Sequence, residues 1–412
     1  MTPLPCVARW RFGQIKNLAE VTLGKMLQSN KSGDDTFANY MRAANVQPDG
    51  VLMLEPKQMW FSGKELDVLT LRRGDVVVVE GGVGGYGRAA YLSEDLEGWG
   101  FQNSINRLRP AADTDGRFLA YYLIALRAAG FIERYCNVVS MPHLTAEKLA
   151  AIPAPIPPAD EQRAIADFLD RETARIDTLI EEQQQLVELL RERREATINA
   201  VFPDGGAETS RLRYSIDLAQ TGPFGTQLSS TEYVEGGVPV INPTHLQNRS
   251  IFPDRAITVT TEKAEELSRF SFQTGDVVLG RKGEVDKSAL VTEVEQGYIC
   301  GSDSMLLRPS QNTDSKYLWW FLQSPSAHAQ LERWSVGSTV AGLNQTAISM
   351  IVLPLPPFHE QRGTVAYLDD QTAKIDMLIA ETERFIELSQ ERRSALITAA
   401  VTGQIDVRGE VA

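Results

Sequence analysis

Thiols and imidazoles are scarce in this chain of 412 residues, which has 3 cysteines and 4 histidines. Cys6, Cys136 and Cys300 stand far apart and are odd in number. That excludes a disulfide framework or a thiolate metal site and leaves reduced, mostly buried thiols. His143, His245, His328 and His359 show no ligand spacing, so no metal is expected in this chain. Long apolar runs are missing too. No stretch approaches the roughly 18 apolar residues of a membrane helix, and the opening MTPLPCVARWRF has no apolar leader. A cytoplasmic location without membrane contact is the expectation.

Positive charge is also in short supply. The net charge of −13 has the wrong sign for a phosphate-binding surface. The excess is uneven, however: residues 1–152 stand at +1, while 153–202, 203–352 and 353–412 carry −5, −5 and −4. Contact with nucleic acid therefore requires a local basic face or a more basic partner subunit. Catalytic texts are absent as well. NPTH at Asn242 stops one proline short of an amino-methylation motif, and neither a Walker lysine nor a G-x-S-x-G elbow occurs. Asp49, Glu55 and Lys57 spell a nuclease-like text, but they lie too close together for two metal-binding strands and read as chance. The chain is not expected to be an enzyme by itself.

One stretch suggests otherwise. DVVVVEGGVGGYGR, Asp75 to Arg88, runs from a strand-like tract into G-x-G-x-x-G at Gly82, Gly84 and Gly87, the text of a dinucleotide-binding turn. The residues after the glycines, RAAYLSEDLEGWG, do not read as a helix with an apolar face. The expected context is missing, and a nucleotide-dependent enzyme is a weak competitor.

What the chain does contain is itself, twice. PPADEQRAIADFLDRETARIDTLI from Pro157 matches PPFHEQRGTVAYLDDQTAKIDMLI from Pro356 at an offset of 199 residues. The match extends back to Arg109 and Arg308 and forward through RERREA and QERRSA. GDVVVVEGG at Gly74 pairs with GDVVLGRKG at Gly275, where Gly283 stands opposite Gly82 while Val285 and Ser288 replace Gly84 and Gly87. The later part of each copy is nearly the same and the earlier part is not. Similar parts suit a repeated partner; divergent parts are free to bind two different things.

The similar parts read as long helices. Ile165, Phe168, Leu169, Ile176, Leu179, Ile180, Leu186, Val187, Leu190, Ile198 and Val201 recur at mostly three- and four-residue steps, as do their counterparts from Val365 to Val401. Each stretch starts just after paired prolines, a helix N-terminal signal. About 40 residues at a rise of 1.5 Å make a rod of about 60 Å, and another helix is the natural cover for its stripe. Antiparallel pairing places the globular parts at opposite ends. Glu172, Gln183 and Arg194 interrupt the stripe, either as a solvated rim or as room for helices of another subunit.

The divergent parts, 1–152 and 203–352, read as mixed α/β units: short strand-like runs, a helix-like stretch, and polar loops. Boundaries are expected at 153–202 for the first helix and 353–412 for the second helix and its tail. The loops YMRAANVQPDG and GGYGRAA offer Arg42, Asn45, Gln47, Glu80 and Arg88. In the second copy VINPTHLQNRS and GRKGEVDKS offer Asn242, His245, Gln247, Asn248, Arg249, Arg281, Lys282 and Lys287. Arg, Asn and Gln read base edges in pairs of hydrogen bonds, and Lys suits phosphates. These residue types also populate ordinary surface loops, so a protein-interaction scaffold without DNA specificity stands as the alternative.

Taken together, Glu161-Gln162-Arg163 with Ile176-Asp177, and Glu360-Gln361-Arg362 with Ile375-Asp376, resemble the doubled motif of the DNA-specificity subunits of type I restriction-modification enzymes, over essentially the full length. The resemblance implies two α/β target-recognition domains, each reading half of a bipartite double-stranded DNA target. It also implies two long helices packed as an antiparallel coiled coil with a pseudo-twofold internal repeat, which set the spacing. It implies docking of two methyltransferase subunits, which carry S-adenosylmethionine, and of two motor-endonuclease subunits, which use ATP and Mg; this chain would hold no cofactor. Glu161, Gln162, Arg163, Ile176, Leu179, Glu360, Gln361, Arg362, Ile375 and Leu378 are the candidates for docking or for the helix seam.

Overall fold

The computed structural model describes residues 4–82, 85–136, 143–203, 209–282, 287–334 and 342–407; Gly84, Gly283 and Val285 lie outside them. The chain divides into two compact units, residues 1–183 with 384–412, and residues 184–383, so the division falls inside both long helices.

In the first unit a four-stranded antiparallel sheet runs in the order Ala19–Leu23, Ile105–Pro110, Val76–Val79, Ala89–Tyr91. A second sheet pairs Thr36–Met41 antiparallel with Gln58–Phe61 and parallel with Trp99–Phe101. The four valines are explained by what covers them. Val76 and Val78 pack with Phe118, Leu119 and Tyr122 of the helix Gly116–Ala128, whereas Val77 and Val79 face Met59 and Phe61 of the second sheet. A strand covered on both faces has no reason to alternate with polar residues. Asp75 at its start is buried and holds Arg109 of the neighbouring strand through two bonds of 2.9 and 2.7 Å.

The second unit repeats this plan. Its four strands run Ile216–Thr221, Ser304–Pro309, Val277–Gly280, Ser288–Leu290, and buried Asp276 holds Arg308 at 2.8 Å twice. Asp115 and Asp314 open the covering helices Gly116–Ala128 and Ser315–Leu322 alike, each carboxylate accepting two backbone N–H groups of the first turn.

The long helices span Ala159–Val201 and Phe358–Val401, beginning directly after the paired prolines. Within the first unit, Ile165, Phe168 and Leu169 share a core with Ile397, Ala400 and Val401, and Arg393 pairs with Asp177, which makes the pairing antiparallel. The second unit uses the other halves: Ile198 shares a core with Leu368, and Arg194 pairs with Asp376. Arg194, read above as an interruption of the stripe, is 5% exposed; its guanidinium bonds Asp376 and lies over the Trp320 ring. Glu172 instead pairs with Arg171 and Arg175 of its own helix. No described helix is long and apolar enough to cross a membrane.

Candidate nucleic-acid interface

In the first unit the loop candidates gather at one end of the sheets. A short turn, Ala43–Asn45, is closed by Arg42 N donating to Asn45 Oδ1 (2.9 Å) and by Asn45 Nδ2 donating to Met53 O (2.7 Å). Gln47 Nε2 donates to Ala44 O, and the Arg42 guanidinium pairs with Glu55, both at 2.9 Å. Arg88 reaches Val46 O at 3.5 Å. Glu80 joins through Ser104, whose Oγ accepts from Ala43 N and whose carbonyl accepts from Glu80 N; its carboxylate faces His143 Nδ1 at 2.9 Å.

The second unit builds the same turn from different residues. Pro243–His245 takes the place of Ala43–Asn45, and Asn242 N donates to His245 Nδ1 at 3.2 Å. Gln247 Nε2 donates to Thr244 O at 3.1 Å, as Gln47 does to Ala44. Burial holds the His245 imidazole below its ordinary pKa, with Asp254 opposing. Asn45 and His245 are therefore corrected from base-reading candidates to turn supports: both side chains are buried and spent on their own loops. Arg281 is likewise committed, donating to Leu343 O and Ser302 O, while Lys282 is exposed and pairs with Asp303 at 3.0 Å. Gln247 and Ser250 close a two-residue hairpin whose tip, Asn248 and Arg249, has φ of 47° and 63°, the left-handed region that such tight hairpins require. Gln247, Arg249, Lys287 and His328 line a cavity of about 780 Å³ with Asp376 and Glu383. Partial burial, with Arg194 acting in the same direction, brings the Arg249 guanidinium down to about 10.

The strands on either side of the glycine-rich stretch, Val76–Val79 and Ala89–Tyr91, pair antiparallel with each other, and no helix follows the glycines among the described residues. Gly82 and Gly87, at φ 112° and 76°, serve the reversal. A dinucleotide turn runs from strand to helix, so the fingerprint is text without its structure. Among the described residues no group of three or more His, Cys, Asp or Glu is placed to hold a metal ion.

The helix candidates divide into two sets. Gln162 is buried and clamps its helix to its own domain, Oε1 accepting from Asp115 N (3.0 Å) and Nε2 donating to Asp113 O and Pro157 O. Gln361 repeats this bond for bond with Asp314, Asn312 and Pro356. Glu161 is buried against Arg9 and the Trp10 indole, and Ile176 and Ile375 are buried as well. Glu161, Gln162 and Gln361 are thereby corrected from docking residues to internal supports, while buried Ile176 and Ile375 sit as residues of the helix seam would. Arg163, Arg362, Glu360, Leu179 and Leu378 are exposed.

Sequence reasoning missed how far the exposure repeats. Leu179, Phe385 and Leu388 of the first unit are exposed, and so are Leu378, Leu186 and Leu189 of the second, which are their equivalents in the duplication. Nor did it find that the paired Asp177 and Arg393 and the paired Asp376 and Arg194 are one interaction made twice; both acids and both arginines already lay 199 residues apart.

Comparison with known proteins came to the same pattern. A family model described as type I restriction modification DNA specificity domain matches residues 8–189 and 217–386. The specificity subunit of the StySPI type I restriction enzyme from Salmonella potsdam is 26% identical over 175 residues, which is 41% of this chain and 36%, little over a third, of that protein. The MjaVIII specificity subunit of Methanocaldococcus jannaschii is 20% identical over 310 residues, 70% of each chain. A chain solved in work on complex assembly and conformational transition of the type I R-M system superposes with a TM-score of 0.79 at 17% identity, covering 98% of this chain and 100% of that one. That last likeness shows the fold.

Proposed function

Because the chain belongs to the type I restriction modification DNA specificity family, we propose that it is the non-catalytic, sequence-reading subunit of such a system, each unit reading one half of a bipartite double-stranded DNA target. The observation that carries this reading is the contrast inside the duplication. The frame of each unit is kept to the level of single hydrogen bonds, as in the Gln162 and Gln361 clamps, while the loops at the same end of each unit differ in residue type and pairing. A frame with two unlike reading heads suits two unlike half-sites.

The exposed residues that recur on both helices support docking of two copies of one partner, a methyltransferase subunit that brings S-adenosylmethionine. A motor-endonuclease subunit using ATP and Mg would complete a restriction complex, and the partners would supply phosphate contacts that a chain of net charge −13 is poor in. The test is selection from random duplex DNA with the chain and its methyltransferase partner, repeated at rising salt. A gapped two-part sequence with affinity falling as salt rises is expected; indifferent binding to all sequences would refute the proposal.

A further inference from the structure

Two side chains outside the candidate loops occupy the same place in both units. Glu20 pairs with Arg109 and Leu218 with Arg308, so the register of the edge strands puts Gly24 opposite Gly222 in the duplication, and Met26 opposite Phe224. Both glycines are demanded by crowding. A Cβ on Gly24 would lie 2.3 Å from Gln102 O, and one on Gly222 2.0 Å from Gly301 O, so backbone passes against backbone at both points. Two residues on, Met26 is 75% exposed and Phe224 65% exposed.

The place is next to the reading loops. Lys25 N donates to Phe101 O and Asn103 N to Lys25 O, in the turn whose Ser104 ties together Ala43 and Glu80. In the second unit Gly222 N donates to Ser304 O, and Gly301 N donates to Ile241 O beside Asn242. Each large apolar side chain thus projects from a pinned backbone at the edge of the loop cluster. Its chemistry is not shared: KMLQSN in one unit stands where PFGTQL stands in the other. Two of the three exposed helix pairs keep the same residue, Leu179 with Leu378 and Leu189 with Leu388, and Leu186 with Phe385 differs, so the helix faces are the more alike, as a repeated protein partner demands. Same place with unlike chemistry is what two different half-sites demand.

We propose that Met26 and Phe224 are specificity-determining residues that make apolar contact with base edges, each in one half-site, a thymine methyl being the group such side chains recognise. This rests on the DNA-reading function proposed above. The experiment uses the full chain with its methyltransferase partner, selecting from random duplex DNA with wild type, Met26→Ala and Phe224→Ala, with Met26→Leu and Phe224→Trp as conservative variants. Met26→Ala is expected to lose about tenfold discrimination, the scale of one base-pair mismatch, at one or two positions of one half only. Phe224→Ala should do so in the other half only, with the conservative variants retaining most of it. Unchanged preferences, relaxation of both halves by either variant, or loss of co-purification with the methyltransferase would each overturn the assignment. A wild type lacking any two-part preference would instead refute the function on which it rests.

Discussion

His245 and Asn45 do the same job in equivalent turns, but only one of them titrates. His245 Nδ1 accepts from Asn242 N, so a proton there would break the turn, and burial holds the imidazole below its ordinary pKa of 6.5. Above pH of about 6.5 both folded and unfolded forms are neutral; below it the unfolded chain protonates first. Stability is thus held at neutral pH and lost as pH falls through the depressed folded value. His245→Asn, which installs the residue of the first unit, should remove that part of the acid sensitivity in thermal melts at pH 7.5 and 5.5, and an identical drop in both proteins would contradict it. The sequence showed an Asn and a His in polar loops but not that both point inward. Short turns bury their own closing side chains, and nothing in local composition distinguishes those from residues facing solvent.

At the level of elements, periodicity and the proline pairs were enough to set where the long helices begin and that they pair. They were not enough to say which apolar positions the pairing covers. Two helices bury a single seam, so Ile176 and Ile375 go inside while Leu179, Leu378, Phe385 and Leu388 do not. If these faces dock the two methyltransferase copies proposed above, Leu179→Glu in one unit and Leu378→Glu in the other should each remove one copy, and both together should remove two, as read by mass photometry; unchanged stoichiometry would rule these faces out. The seam also carries its own polar lock. Arg194 is buried and Asp376 about half exposed, so removing either costs about 1–3 kcal/mol, less than the 3–5 of a wholly buried pair. Arg194→Asp and Asp376→Arg should each destabilise in urea, and combining them should recover part of the loss, a coupling that a double-mutant cycle measures.

For the molecule as a whole, the repeat was the most legible feature, because two copies in one chain show which residues a frame needs and which it leaves free. If the helices set the separation of half-sites, four residues inserted into each, about 6 Å, should change the number of unspecified base pairs by about two at 3.4 Å per step and leave both half-sites intact; altered half-sites would count against it. Less legible was the way the chain is threaded. The first unit takes Ile397, Ala400, Val401 and Val407 into its core beside Leu4 and Trp10, and Val7 N donates to Thr402 O. The second unit lies wholly between residues 184 and 383. On the ribosome the order of completion is consequently inverted. The unit that begins first must wait, with the apolar surface of Ile165, Phe168 and Leu169 uncovered, until residues beyond 396 emerge, whereas the nested unit has all its parts earlier. Nascent chains cut after residue 390 and extended by an unrelated linker that fills the exit tunnel should show a protease-resistant second unit and a protease-sensitive first one, which makes the first unit the one exposed to chaperones and aggregation during synthesis.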